Sequence, residues 1–378
     1  MAKSIFSFFA GAGLLDLGFE AEKYNIVFIN EYEQSFLNAY IYARQHRPNH
    51  YVQPRYGYHQ GDINQYLHGA DRDMLLENIQ REKKRHNTVG FIGGPPCPDF
   101  SIAGKNKGKD GKNGILALSY VKLIIQCQPD FFIFENVKGL VKTEKHRKYF
   151  MSLKRRLQQA GYAISDHILN ALSYGVPQDR DRVILVGFRQ DSFANIANIL
   201  DGRGKLLFPW DENRVFDNLE AIKQQNWPTH QPFLINQRQL APRNLPTAYR
   251  RLAVETWFIK NDVINHPNTN DIFQVKGGGP KITTIEEGDV SRKSFKRLHR
   301  WRYSPTAAYG NNEVHLHPYQ ARRISVAEAM AIQSLPAWFS LPPQMPLTHK
   351  FKVIGNGVPY LMSRAIAKTL YTTIDGIR

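Results

Sequence analysis

The chain has 378 residues, 42% of them hydrophobic and 12% aromatic, so it exceeds one ordinary domain and can fill a sizeable core. Fifty Lys and Arg against 33 Asp and Glu leave a formal charge of +17, which calls for a polyanionic partner, nucleic acid ahead of an anionic membrane. No run reaches a transmembrane length of apolar residues, and two cysteines exclude a disulfide framework and suit a reducing cytoplasm.

Lys3 to Phe9 reads as a buried strand and Leu14 to Tyr24 as a helix opened by a glycine turn. Lys3 followed by the apolar stretch Ile5 to Leu15 mimics a signal peptide, but Asp16, Glu20 and Glu22 follow at once, and a strand entering a glycine turn accounts for the same residues better. A second strand, Asn25 to Asn30, ends at Glu31, and a helix covers Ser35 to Arg44. A short third strand, Tyr58 to Gln60, ends at Gly61-Asp62-Ile63, and a charged helix runs from Asp71 to Arg85. The apolar run Val89 to Ile92 then enters Gly93-Gly94-Pro95-Pro96-Cys97-Pro98-Asp99-Phe100-Ser101, which three prolines keep from continuing as strand or helix. Gly104 to Gly114 reads as a basic surface loop and Ile115 to Gln128 as a helix. Asp130 to Phe134 is a buried strand ending at Glu135-Asn136-Val137, Lys145 to Ala160 a basic helix, and Tyr162 to Asn170 with Arg182 to Phe188 a strand pair. This alternation predicts an α/β fold with a doubly wound, mainly parallel sheet.

From about Gln190 periodicity fades, and Pro228, Pro232, Pro242, Pro246 and Pro267 interrupt the chain. Arg292, Lys293, Lys296, Arg297, Arg300 and Arg302 follow one another with no acid between them. Ile324 to Leu335 regains an amphipathic pattern, and Val353 to Pro359 leads into a helix from Tyr360 to Tyr371.

Several of these segments carry candidate chemistry. Cys97 sits in a stiff loop at the carboxyl end of a strand, where ligands bind in open α/β sheets, and a thiolate held there is a candidate nucleophile. The alternative is an ordinary buried thiol, the reading that suits Cys127 among its apolar neighbours. Phe9-Ala10-Gly11-Ala12-Gly13 lets a ligand approach the backbone, or serves only as a structural turn. A dinucleotide usually wants a third glycine there, whereas this chain places Asp16, an anion, where phosphates would sit; S-adenosylmethionine suits the loop better. Glu31 can bind ribose hydroxyls, and Asp62 an adenine amine or else serve only as a solvated turn residue at a strand end. Glu135 emerges from the greasy run Phe131 to Phe134 at the same edge as Cys97, where desolvation would raise its pKa and let it act as an acid or hydrogen-bond donor at neutral pH, or where it serves only as a capping or ion-paired carboxylate. In Gln178-Asp179-Arg180-Asp181-Arg182 strand alternation sets Arg180 and Arg182 on one side, suited to a phosphate or a carbonyl-rich base, or else forms a solvated ion-pair ladder. The basic cluster from Arg292 to Arg302 interleaves Phe295, His299, Trp301 and Tyr303, a pattern suited to nucleic acid. No metal site stands out; His315 and His317 form the only close pair.

The ordered set Phe-Ala-Gly-Ala-Gly, Asn30-Glu31-Tyr32-Glu33, Gly61-Asp62-Ile63, Pro95-Pro96-Cys97, Glu135-Asn136-Val137, Gln-Asp-Arg-Asp-Arg and Gly355-Asn356-Gly357-Val358 resembles the DNA (cytosine-5) methyltransferases, the bacterial restriction–modification type most closely. The resemblance implies a Rossmann-like catalytic domain, 1–190 plus 345–378, and a smaller, irregular target-recognition domain, 191–344. It implies S-adenosylmethionine as cofactor, held by Phe9, Ala10, Gly11, Gly13, Leu14, Glu31, Tyr32, Asp62, Ile63, Pro96, Asn356, Gly357 and Val358. Cys97 is then the nucleophile on carbon 6 of a flipped-out cytosine, Glu135 assists at ring nitrogen 3, Arg182 holds the base, and Arg180 organises the site. Duplex DNA would be met by Ser101, Lys105, Gln178, Arg292, Lys296, Arg297 and Arg300, with the Gly104–Gly114 stretch closing over it. A monomer in the prokaryotic cytoplasm, associated with the nucleoid and partnered by a restriction endonuclease of the same site, completes the expectation. An RNA cytosine-5 methyltransferase acting on tRNA, or a non-catalytic DNA-binding relative, shares the fold. Pro98 departs from the glutamine that many family members carry after the cysteine.

Overall fold

The computed structural model describes residues 2–48, 52–96, 112–237, 239–275, 279–292, 294–306, 309 and 315–378. Cys97, Pro98, Ser101 and Lys105, with Lys293 and most of the Gly104–Gly114 stretch, lie outside the described residues.

Nine strands are described: β1 (Lys3–Phe8), β2 (Asn25–Glu31), β3 (Tyr58–Gln60), β4 (Thr88–Gly93), β5 (Phe131–Val137), β6 (Tyr162–Asn170), β7 (Gln178–Asp179), β8 (Asp181–Arg189) and β9 (Ser304–Pro305). Seven of them form one sheet in the order β3-β2-β1-β4-β5-β8-β6. β1 to β5 pair in parallel, and β8 runs antiparallel to both β5 and β6. The doubly wound, mainly parallel sheet is therefore present, with an antiparallel end. β1 and β4 are buried at every position because helices cover both faces, which is why they read as apolar runs rather than as alternations. One face packs on helices Gly69–Lys84, Lys112–Cys127 and Glu144–Gln159 through Leu75, Ile79, Leu123, Phe150 and Leu153. The other packs on Leu14–Ala21 and the C-terminal helix Tyr360–Ile377 through Phe19, Met362, Ile366 and Leu370.

Two segments extend beyond their expected ends. β5 continues through Glu135 to Val137, because β8 pairs with it along that whole length. The C-terminal helix runs six residues past Tyr371, to Ile377, carrying Ile374 and Ile377 onto the sheet.

The polar stretch after Arg189 folds into short helices and turns, and its β9 pairs in parallel over two residues with β7, which precedes β8. Val254, Trp257, Phe258, Leu298, Ile324, Met330 and Phe339 form its core, and the same cluster takes in Leu14, Leu17, Phe36 and Ala39 from the N-terminal helices. The helix Val326–Ile332 opens with a capping box: Ser325 and Glu328 satisfy each other's backbone N–H.

Candidate active site

Parallel pairing brings the carboxyl ends of β1, β2, β3, β4 and β5 to one edge of the sheet. There the chain turns left-handed at Phe9 (φ 54°), Gly11 (φ 57°) and Gly13 (φ 75°) before the helix Leu14–Ala21, whose N-terminus no side chain caps. Gly11 N–H donates to Glu31 Oε2 at 2.8 Å and Glu33 N–H to Glu31 Oε1 at 2.9 Å. Burial raises the Glu31 pKa while these backbone donors pull it down, leaving it above the usual carboxylate value. Each oxygen can still accept a further bond, so a vicinal diol fits against it. Tyr32, next in sequence, is 66% exposed and offers a free aromatic face. Asp62, an exposed residue, caps the turn Ile63–Leu67 by accepting from Asn64 N–H at 2.8 Å through Oδ1.

Gly357 meets this loop from the other end of the chain: a Cβ there would lie 2.3 Å from Leu14 Cδ2, so only glycine permits the approach. Asn356 is exposed beside it. Leu14, Ile63 and Val358 are core side chains, and what they can offer a ligand is backbone. Asp16 corrects its expectation. It is buried beneath the loop, accepting from Ser7 Oγ and Tyr40 Oη, both at 2.9 Å, and faces no ligand position.

Two strands away, Glu135 and Val137 share one face of β5, and Arg182 stands opposite Val137 in the antiparallel register. The guanidinium therefore falls diagonally onto the carboxylate, with Arg182 Nε 2.7 Å from Glu135 Oε1. Burial drives the Glu135 pKa upward and Arg182 pulls it back; the net shift is upward. Gly94 lies against the same carboxylate, since a Cβ on it would come 2.5 Å from Glu135 Oε2. Asn136 Nδ2 donates to the Pro95 carbonyl at 3.3 Å, and Pro95 is buried while Pro96 is half-buried. The entry to the proline loop is thus fastened to the strand that carries Glu135.

Arg180 is fully buried. It donates to the carbonyls of Gly355 and Gly357, the latter at 3.2 Å, and to Gln178 Oε1 at 3.4 Å. It ties the Gln-Asp-Arg-Asp-Arg segment to the segment beside the glycine loop. The acids of that segment face the other way, as alternation requires, with Asp181 paired to Lys138 at 2.8 Å and Asp179 to Lys223 at 3.3 Å.

The expected DNA contacts divide. Arg292 is exposed and Lys296 half-buried. Arg297, Arg300 and Gln178 are buried and present no side chain to a duplex. Arg300 makes a bidentate pair with Glu287, Nε to Oε1 and Nη2 to Oε2, both at 2.8 Å. Arg297 donates to the carbonyls of Ile285 (2.8 Å), His317 (2.5 Å) and Ile282. These guanidiniums substitute for a regular hydrogen-bond ladder in a region with little sheet. The basic run looked free of acids because its partner, Glu287, lies 13 residues upstream of Arg300. His315 and His317 are buried, and no cluster of three or more metal-ligating side chains occurs among the described residues.

Gly94 and Asn136 stand in motifs evident from the sequence but with no role assigned there, and the pair Tyr40 and Arg44 was not among the candidates. The last two had a signal: they stand four apart on the buried face of the helix Gln34–Gln45, in line with Phe36 and Leu37.

A glycine turn facing a carboxylate-ended strand, on this sheet order with its antiparallel end, defines a Rossmann-like methyltransferase. The model of the family described as C-5 cytosine-specific DNA methylase matches residues 3–372. The chain belongs to this family and is a DNA cytosine-5 methyltransferase. It is 52% identical over 372 residues to the Type II methyltransferase M.NmeDI of Neisseria meningitidis serogroup C, covering 98% of this chain and 84% of that protein. It is 28% identical over 379 residues to the Type II methyltransferase M.FnuDI of Fusobacterium nucleatum, covering 98% and 94%. The fold is similar to that of a prophage-encoded E. coli protein assigned as a DNA modification methyltransferase, with a TM-score of 0.61 and 22% identity over 99% of this chain and 100% of that one.

Proposed function

We propose that the protein transfers a methyl group from S-adenosylmethionine to carbon 5 of a cytosine flipped out of duplex DNA, as the modification enzyme of a Type II restriction–modification system. The observation that carries the reading is the buried Glu135–Arg182 pair lying against Gly94, at the sheet edge that also carries the glycine loop.

The residues of the loop suit the proposed cofactor. Glu31 is positioned to accept from the ribose hydroxyls, Tyr32 to stack on the adenine and Asp62 to receive its amine. The uncapped first turn of the helix Leu14–Ala21 and the partly exposed Phe9, Ala10 and Gly11 can meet the amino-acid end, with Asn356 and Pro96 closing the site. When bound, S-adenosylmethionine supplies an electrophilic methyl group.

The protein's own residues must make carbon 5 of cytosine nucleophilic. In this reading the Cys97 thiolate adds to carbon 6, and the displaced π-electron pair is accommodated across the ring as Glu135 hydrogen-bonds or protonates nitrogen 3. Carbon 5 then takes the methyl group, loses its proton to a base, and the returning electron pair expels the Cys97 thiolate. Glu135 suits this task because burial, opposed by the Arg182 guanidinium, raises its pKa above the ordinary glutamate value and so favours its proton-donating form, and Arg182 suits the base carbonyl. Arg180 acts from behind, holding Gly355 and Gly357. We assign target recognition to 191–344 and catalysis to 1–190 with 345–378, the exposed Arg292 and half-buried Lys296 serving as backbone contacts together with Ser101 and Lys105. A monomer acting in the cytoplasm on nucleoid DNA, beside an endonuclease of the same site, is the context proposed.

Expression in a host free of cytosine-5 methylation, followed by bisulfite sequencing, tests this. One short motif protected throughout the genome is the expected result. An unmodified genome, together with no transfer from S-adenosylmethionine to duplex DNA by the purified protein, would overturn it.

A further inference from the structure

Beneath the glycine loop lies a set of buried polar side chains with no part in the chemistry above. Arg44 is 0% exposed, on the helix Gln34–Gln45. Its Nη1 donates to the Ala12 carbonyl at 2.7 Å and its Nη2 to the Gly13 carbonyl at 2.8 Å, while Nε meets Glu20 Oε1 at 3.1 Å. The guanidinium lies over the Tyr40 ring, 3.7 Å from its centre, and Tyr40 Oη in turn donates to Asp16 Oδ2. Glu20 is also held by Arg47 at 3.2 Å.

A buried guanidinium is costly to desolvate, and it is retained only where its donors are matched in geometry. Here two of the three donor positions go to consecutive carbonyls of one turn. With Ala12 and Gly13 carbonyls held inward and Gly11 N–H held by Glu31, the turn has little freedom to rotate its peptide planes. Gly13 is also pinned sterically: a Cβ there would fall 2.4 Å from both Arg44 Nη2 and Tyr40 Cε2.

We propose that Arg44 is a positioning residue for the methyl donor: it presets the Gly11–Gly13 turn, with Tyr40 and Glu20 holding its guanidinium. The inference rests on the cofactor assignment made above. Its effect should therefore appear in cofactor binding rather than in the reaction itself, because Arg44 touches the loop and not the reacting atoms.

The test is Arg44→Lys, whose single ammonium cannot bridge two carbonyls and Glu20 at once. In the cofactor-free protein, hydrogen exchange of the 10–14 amides should accelerate at least tenfold, with exchange in β4 and β5 unchanged. Calorimetry with S-adenosylmethionine should show a Kd raised at least tenfold, while kcat at saturating cofactor and the affinity for duplex DNA stay within twofold of wild type. A folded Arg44→Lys protein with wild-type loop exchange overturns the proposal, and so does a loss of kcat at unchanged Kd. If Arg44→Lys does not fold, Glu20→Gln carries the test: loop exchange and Kd should each rise severalfold, and wild-type values for both overturn the proposal. Faster loop exchange in a protein whose wild type fails to bind S-adenosylmethionine would sink the cofactor assignment and the inference resting on it, leaving only a structural clamp.

Discussion

Arg182 Nε stands 2.7 Å from Glu135 Oε1, on side chains only 7% and 10% exposed. Neighbouring antiparallel strands set this relationship, and it opposes two influences on one proton: burial favours neutral Glu135, and the guanidinium favours its anion. Because the net pKa is raised, the donor form persists to higher pH than for an ordinary glutamate and is lost as pH rises through that value. Glu135→Gln should lower kcat by about 10² to 10⁴ with DNA affinity retained, and should remove this alkaline limb. Arg182→Met should move the limb to higher pH. A limb that stays in place in both variants would assign it to another group.

The two cysteines should separate cleanly. Burial pushes the Cys127 thiol up to about 12, so alkylating reagents should spare it in the folded protein. Cys127→Ala should keep full methyl transfer and cost about 1 kcal/mol in urea denaturation. Cys97→Ala should abolish transfer to duplex DNA; full transfer by that variant would end the covalent reading.

Glu82 supplies an acid-sensitive latch at the opposite edge of the sheet. Burial works to raise its pKa, but hydrogen bonds from Ser4, Asn87, Tyr56 and Arg55 outweigh burial and hold it at about 2. A depressed carboxylate contributes stability that is full above its unfolded pKa, 4.5, and is lost as pH falls toward 2. After allowance for solvent screening, Glu82→Gln should cost about 2 kcal/mol at pH 7, and the difference from wild type should shrink to nothing near pH 2. Urea unfolding across that range measures it.

Basic residues of one run should behave in two ways. Arg300→Ala breaks a buried pair and should destabilise the fold by roughly 3–5 kcal/mol. Arg292→Ala should leave stability unchanged and reduce the salt dependence of DNA affinity by about one unit of log–log slope. Affinity measured at several salt concentrations, beside a thermal melt, distinguishes them.

The glycine loop, the strand ends at Glu31 and Glu135 and the alternation of Arg180 with Arg182 were legible because each depends on residues adjacent in the chain. Local sterics turn Phe9, Gly11 and Gly13, and the two-residue period of a strand sorts the arginines from the aspartates. Arg44 under the loop was legible only in part: its spacing from Phe36 and Tyr40 sets it on the buried face of the helix, but a cation there reads as solvated until the carbonyls that match its donors are known. The acid-free run from Arg292 misled for the same reason, its partner Glu287 arriving from a separate turn.

By itself the sequence determined the class of fold, the order of the candidate motifs and the identity of the groups able to do acid chemistry. Hydrophobic periodicity and turn residues act over a few positions, and that range suffices for them. Only the tertiary structure decided which charged side chains face a ligand and which brace the scaffold. That decision depends on desolvation and on partners distant in sequence: Arg180 on Gly355 and Gly357, Arg300 on Glu287, Arg44 on the carbonyls of Ala12 and Gly13.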